Sequence, residues 1–220
     1  PLDRNWVGEF AAGLGEALEF WNIQLIGGDT TGSTGPICLS MTLSGTGTRI
    51  VSRSDAGVGE RIWVTGVLGE AAAGFNDALC AGASAFARPS PPVRFGGALA
   101  QLPGITAMMD LSDGLARDLG RMCRASQVSA LVQPDQLPAG PSLAHVSDPV
   151  PSQVAFGEDY QLLFTASEDA TSHIEALASE YRVQVTDIGC TMQPEGAPLA
   201  CLAGRQWPTP DWSHFSGRQP

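Results

Sequence analysis

Met108-Met109-Asp110-Leu111-Ser112-Asp113-Gly114-Leu115 is a junction between two patterns. The residues before it, Ile105, Ala107, Met108 and Met109, read as a short buried strand. Those after it place Leu115, Leu119 and Met122 on one side of a helix. Asp110 and Asp113 are three apart, a spacing that sets two carboxylates on the same side of a helix. The free N–H groups of a helix start suit a phosphate. Mg2+ takes carboxylate oxygens and shares phosphate oxygens with its ligand. The junction therefore has the means to hold metal and phosphate together. On local sequence alone a plainer reading is preferred: Ser112 or Asp110 caps the helix, and Asp113 favours its positive end.

Outward from this junction, strands and helices alternate, which defines a mixed α/β class. Upstream, residues 4–21 repeat Trp6, Phe10, Leu14 and Leu18 every four positions, an amphipathic helix with Asp3 as its cap. Residues 23–26 read as a buried strand running into the turn Gly27-Gly28-Asp29-Thr30-Thr31. Residues 36–46 alternate cleanly, with Ile37, Leu39, Met41 and Leu43 on one face of a half-buried strand. The polar, glycine-rich stretch 47–60 marks a domain boundary, giving an N-terminal domain remainder over 1–47 and a C-terminal domain over 48–220. Further strands are expected at 61–65, 128–132, 160–165, 183–188 and 199–202. Helices are expected at 93–102, 115–126 and 168–181. Residues 66–74 are a loop entering a helix, and 87–92 a rigid proline connector. Residues 133–156 are loop-rich, with five prolines.

Composition narrows the function. The chain has 220 residues, is 43% hydrophobic, carries a net charge of −11 and has a pI of about 4.5. Nucleic acid needs a basic face, so it is excluded as a main partner. All 12 basic residues are arginine. Without lysine there is no Walker-type phosphate loop and no Schiff base. Phosphate contacts must come from Arg, backbone N–H or metal. The five cysteines form no Cys-x-x-Cys pair, so they read as buried free thiols of a reducing cytoplasm. There is no signal peptide or membrane-spanning run.

Several short segments have polar chemistry. Gly27-Gly28-Asp29 lets backbone approach a ligand and offers a carboxylate. Phe156-Gly157-Glu158-Asp159-Tyr160 is an acidic turn before a strand. Taken alone, these read as an ordinary turn and a solvated loop. Arg53 is a guanidinium between the two domains. Asp211-Trp212-Ser213-His214-Phe215 either covers a core edge or stacks on a flat substrate ring. His145, His173 and His214 lack the partners of a hydrolase triad and take no catalytic role. Three acidic turns at strand ends stand where open α/β folds place ligands. With no lysine, they point to metal-bridged phosphate chemistry.

The ordered set Leu25-Ile26-Gly27-Gly28-Asp29-Thr30-Thr31, Arg53-Ser54, Ala87-Arg88-Pro89-Ser90-Pro91, Met109-Asp110-Leu111-Ser112-Asp113-Gly114-Leu115, Gly157-Glu158-Asp159-Tyr160 and Trp212-Ser213-His214-Phe215 resembles the thiamine-monophosphate kinase family. That family belongs to the superfamily of aminoimidazole ribonucleotide synthetase, selenophosphate synthetase and a hydrogenase maturation protein. The resemblance implies a two-domain fold of the aminoimidazole ribonucleotide synthetase type. Its first domain would be incomplete here, and its second an α/β sandwich with a mixed sheet. It implies ATP-dependent phosphorylation of thiamine monophosphate to thiamine diphosphate by direct, Mg2+-assisted transfer, in a cytoplasmic homodimer away from membranes.

Carried over by motif, the resemblance implies that Gly28, Asp29, Arg53 and Ser112 contact ATP. Asp29, Asp110 and Asp113 would ligate Mg2+, while Glu158 and Trp212 would hold the thiamine moiety. No catalytic residue is assigned beyond the metal ligands. The family has a segment, with further acidic ligands, before the point where this chain begins, so the isolated chain is expected to be poorly soluble or altered in association. The usual basic residue after Gly-Gly-Asp-Thr-Thr is Gly32, followed by an insertion, Ser33-Thr34-Gly35. The usual glycine pair before Glu-Asp-Tyr is Phe156-Gly157. The alternatives are a superfamily relative acting on another ATP-activated substrate, and a non-catalytic chain that binds only a ligand or partner. Against the synthetase, this chain has Gly-Gly-Asp rather than Gly-Gly-Glu. Against the hydrogenase protein, it does not end in cysteine.

Overall fold

The computed structural model describes residues 3–32, 34–76, 85–197 and 199–208. The chain divides into two compact units, Pro1–Thr46 and Gly47–Pro220.

The first unit contains helix α1 (Arg4–Phe20), whose start is fixed by Asp3, a carboxylate accepting the Asn5 N–H at 2.9 Å. The strands expected at 23–26 and 36–46 are not formed among the described residues. Leu25, Ile26, Ile37, Leu39, Met41 and Leu43 are all exposed. Alternation prepares a strand, but a strand also needs a neighbour for its N–H and C=O groups, and among the described residues these segments have no ladder partner.

The second unit is built on one six-stranded sheet. Its strands are β1 (Arg61–Thr65), β2 (Ile105–Asp110), β3 (Ser129–Val132), β4 (Leu162–Ala166), β5 (Val185–Met192) and β6 (Ala200–Leu202). Their order is β2-β4-β1-β5-β3-β6, antiparallel except for the parallel β3–β6 pair, so the sheet is mixed. The helices are α2 (Glu70–Asn76), α3 (Val93–Leu99), α4 (Leu115–Ser126), α5 (Val150–Val154) and α6 (Thr171–Tyr181). Strands at 61–65 and 105–110 fall where expected, whereas β4 starts two residues late and β5 runs on to Met192.

Strand alternation sorts the core onto two faces. Ile62, Val64, Leu163 and Ile188 join Leu115, Leu119 and Met122 of α4 and Val150 and Val154 of α5. Trp63, Phe164 and Ala166 join Phe95 and Leu99 of α3 and Ile174 and Ala178 of α6. Ile105 and Ala107, two apart, belong to opposite faces because the β2–β4 register shifts between them. A bulge of this kind bends a strand and re-aims its side chains. It lies a few residues before Asp110, the last residue of β2.

The thiols are less uniform than expected. Cys123 is buried, Cys190 and Cys201 are half-buried, and Cys38 is exposed. Cys80 and the segment 211–215, including Trp212, lie outside the described residues, as does Ser33. Among the described residues, no helix is long and apolar enough to cross a membrane.

Candidate functional site at the end of β2

Two loops interlock where β2 and β4 meet. Beyond Asp110 the chain continues pairing: Leu111 N–H donates to Gln161 O at 2.8 Å, Tyr160 N–H to Leu111 O at 2.9 Å, and Glu158 N–H to Ser112 O at 3.0 Å. The fit needs two glycines. A Cβ on Gly157 would lie 2.1 Å from Ser112 O, and one on Gly114 would lie 2.8 Å from Phe156 O. Gly114 also has φ +94, which side chains rarely adopt. Glu158 and Tyr160 take positive φ without being glycine, at +69 and +49. Such strain collects at functional sites when surrounding contacts impose it.

The start of α4 differs from the expected arrangement. Asp110 ends β2, and Asp113 lies in the loop, so the two do not share a helical face. The N-cap is Gly114, which has no side chain to cap with; neither Ser112 nor Asp110 fills that role. Asp118, one turn into α4, reaches back instead. Its Oδ2 accepts the N–H groups of Ser112 at 3.0 Å and Asp113 at 2.9 Å, and its Oδ1 accepts from Arg121 at 2.7 Å. Arg121 also pairs with the Asp113 carboxylate. Burial pushes the Asp118 carboxyl up, offset in part by these donors. The hydrogen bond from Arg121 to Asp113 holds that guanidinium charge more firmly than usual.

The acidic turn is half-buried rather than a solvated loop. Tyr160 hydroxyl donates to Glu158 Oε2 at 3.0 Å. Burial raises the Tyr160 pKa first; Glu158, Asp110 and Asp113 then raise it further. Asp159 serves the other side of the turn, accepting from Gly69 N–H at 2.9 Å and Ala71 N–H at 3.1 Å at the start of α2. Burial pushes its carboxyl up to about 6, with Glu70 adding to the shift. Glu70 accepts from the N–H and hydroxyl of Ser142, which ties down the 138–143 loop.

The structure thus brings together Asp110, Ser112, Asp113 and Glu158. Arg53 is exposed, and its carbonyl is held by the Ser126 hydroxyl at 2.9 Å, at the far end of α4 from Asp113. Twelve helical residues separate those ends by about 18 Å. Gly28 and Asp29 belong to the first unit, where both are exposed and Asp29 Oδ1 accepts the Thr30 N–H at 2.8 Å. Asp118, Arg121, Asp159 and Tyr160 were not anticipated as site residues. For Asp118 the available signal was an acidic side chain in the first turn of a helix entered through a polar loop.

Among the described residues, no group of three or more His, Cys, Asp or Glu side chains is arranged to hold a metal ion. Mg2+ characteristically takes one or two carboxylates and completes its shell from phosphate and water. Asp110 at the end of β2 and Asp113 in the loop that follows, both hard oxygen donors, fit that demand.

The family described as AIR synthase related protein, C-terminal domain, matches residues 57–196. The thiamine-monophosphate kinase of Haemophilus influenzae is 33% identical over 206 residues, covering 86% of this chain and 61% of that protein. The thiamine-monophosphate kinase of Escherichia coli K12 is 32% identical over 231 residues, covering 97% of this chain and 69% of that protein. A solved structure of AaThiL complexed with AMPPCP and TMP matches with a TM-score of 0.74 at 24% identity, over 97% of this chain and 70% of that one, and shows the fold. The chain therefore carries an AIR synthase-related C-terminal domain, and it belongs to the thiamine-monophosphate kinase family. It spans 61% of the Haemophilus relative's length, about three fifths.

Proposed function

We propose that this protein transfers the γ-phosphoryl group of ATP to thiamine monophosphate, giving thiamine diphosphate and ADP. The observation that carries the reading is the interlock of the loop that bears Asp110 and Asp113 with the turn that bears Glu158, at a strand end leading into a helix. The names of the relatives, and the AMPPCP and TMP held by AaThiL, supply the donor and acceptor.

Transfer of this kind needs positioning and charge neutralisation more than a covalent nucleophile. The bond between the β,γ-bridging oxygen and the γ-phosphorus breaks, and a terminal phosphate oxygen of the acceptor takes that phosphorus. Bound Mg2+ would neutralise phosphate charge, held by Asp29, Asp110 and Asp113. Gly28, Asp29, Arg53 and Ser112 would contact ATP, and Glu158 and Trp212 the thiamine moiety. Asp118 and Arg121 would keep Asp113 aimed, the first through its backbone and the second through its carboxylate. The working form would be a cytoplasmic homodimer.

The test is formation of thiamine diphosphate from thiamine monophosphate, ATP and Mg2+, comparing the protein with its Asp113→Asn variant. Product from the first and a loss of at least a hundredfold in the second is the expected result, of the order seen when an electrostatic transition-state contact is removed. Equal rates would overturn the role of Asp113. No product from either would overturn the reading that this chain by itself carries out the transfer.

A further inference from the structure

Three phenylalanines meet beside the acidic turn. Phe75 lies on α2, Phe86 precedes the proline connector, and Phe156 opens the turn that carries Glu158. Their ring centroids are 5.1 Å apart for Phe75–Phe86, 5.5 Å for Phe75–Phe156 and 6.5 Å for Phe86–Phe156, edge-on or tilted. None belongs to either core cluster, and Phe75 and Phe86 are 51% and 37% exposed. A single exposed ring needs no explanation, but three gathered at one place point to a binding surface.

The position of the trio selects its ligand. Phe156 is two residues from Glu158, and its carbonyl abuts Gly114 beside Asp113. Exposed apolar rings joined to the turn that carries Glu158 match a flat ring that carries positive charge. The rings supply dispersion and attraction for the cation, and the acidic turn supplies its counter-charge. An anionic ring would be repelled, and a neutral one would gain nothing from the acidic turn.

We infer that Phe75, Phe86 and Phe156 form a platform for the cationic aromatic portion of the acceptor, the thiazolium and its attached pyrimidine. This rests on the kinase reading and adds to it residues outside the motif set.

The test is calorimetric titration of the protein with thiamine monophosphate and, separately, with Mg-ADP. The double variant Phe75→Leu/Phe86→Leu keeps apolar bulk and loses two ring faces. It is expected to bind thiamine monophosphate about tenfold more weakly, a change typical of lost ring–cation contacts, and Mg-ADP unchanged. Phe86→Tyr keeps the ring and should keep the affinity. Unchanged affinity in the double variant overturns the platform and leaves the kinase reading standing. So does a Tyr variant as weak as the Leu variant, or a shift confined to self-association in sedimentation. A wild-type protein that binds no thiamine monophosphate sinks the kinase reading, and the platform with it.

Discussion

Asp118 holds Asp113 twice over. Its Oδ2 accepts the Asp113 N–H at 2.9 Å, and its Oδ1 takes, at 2.7 Å, the Arg121 guanidinium that pairs with the Asp113 carboxylate. Asp118 is itself fully buried. Truncating it would leave two backbone N–H groups and part of a guanidinium without their acceptor, which is more costly than losing a surface pair. Asp118→Ala is expected to lower stability by about 3 kcal/mol. The Ser112 and Asp113 amides should then exchange with solvent much faster than those of the β1–β4 ladder. Hydrogen exchange that leaves both amides as protected as in the wild type would count against this anchor.

Arg121 competes with any cation for the Asp113 carboxylate. Removing a positive charge from beside a carboxylate raises its capacity for another. Arg121→Gln is therefore expected to bind Mg2+ several-fold more tightly in calorimetric titration, at a stability cost of about 1 to 2 kcal/mol from the half-paired Asp118. A weaker affinity would mean that the aim Arg121 gives to Asp113 outweighs its competition with the cation.

Elements that complete themselves locally were legible in the sequence, and those that depend on a neighbour were not. The run Ile62, Trp63, Val64 needs only to be apolar and short to be a strand between two helical layers. Ile37, Leu39, Met41 and Leu43 carry an equally good pattern, yet pattern supplies no ladder partner. The aspartates at 110 and 113 were found because carboxylates at a strand–helix junction are conspicuous. Their geometry was not found, because the loop between them is shaped by a carboxylate five residues further on and by a turn more than forty residues away. Positive φ at Glu158 and Tyr160 is likewise imposed by Leu111 and Ser112, and nothing in those residue types announces it.

The interlock of the two loops rests on Gly157. A methyl group there would meet Ser112 O at 2.1 Å, Ser112 C at 2.9 Å and Asp113 Cα at 3.0 Å, all backbone and unable to step aside. Gly157→Ala is expected to destabilise by about 2 kcal/mol or more and to displace Glu158, weakening acceptor binding. Gly97→Ala is the control. It lies on the exposed side of α3 with nothing within 4 Å of its would-be Cβ, and should stabilise by a few tenths to about 1 kcal/mol. Urea unfolding of both variants separates the cases; a neutral Gly157→Ala would show the loops to be loosely joined.

Asp159 gives the fold a pH dependence of defined sign. Burial raises its carboxyl from the ordinary 3.8 to about 6, although Gly69 and Ala71 donate to it. Between those values the folded protein holds a proton that the unfolded chain has released. Stability contributed by that proton is complete below about pH 4, declines as pH rises through about 6, and is absent at neutrality. The upper limit of the effect is of the order of 3 kcal/mol. Asp159→Ala lacks it while sharing the rest. The difference in unfolding free energy between wild type and Asp159→Ala should therefore be larger at pH 5 than at pH 7.5. A difference that shrinks on acidification would mean that the two N–H donors outweigh burial, and that Asp159 acts as an ionised cap of α2.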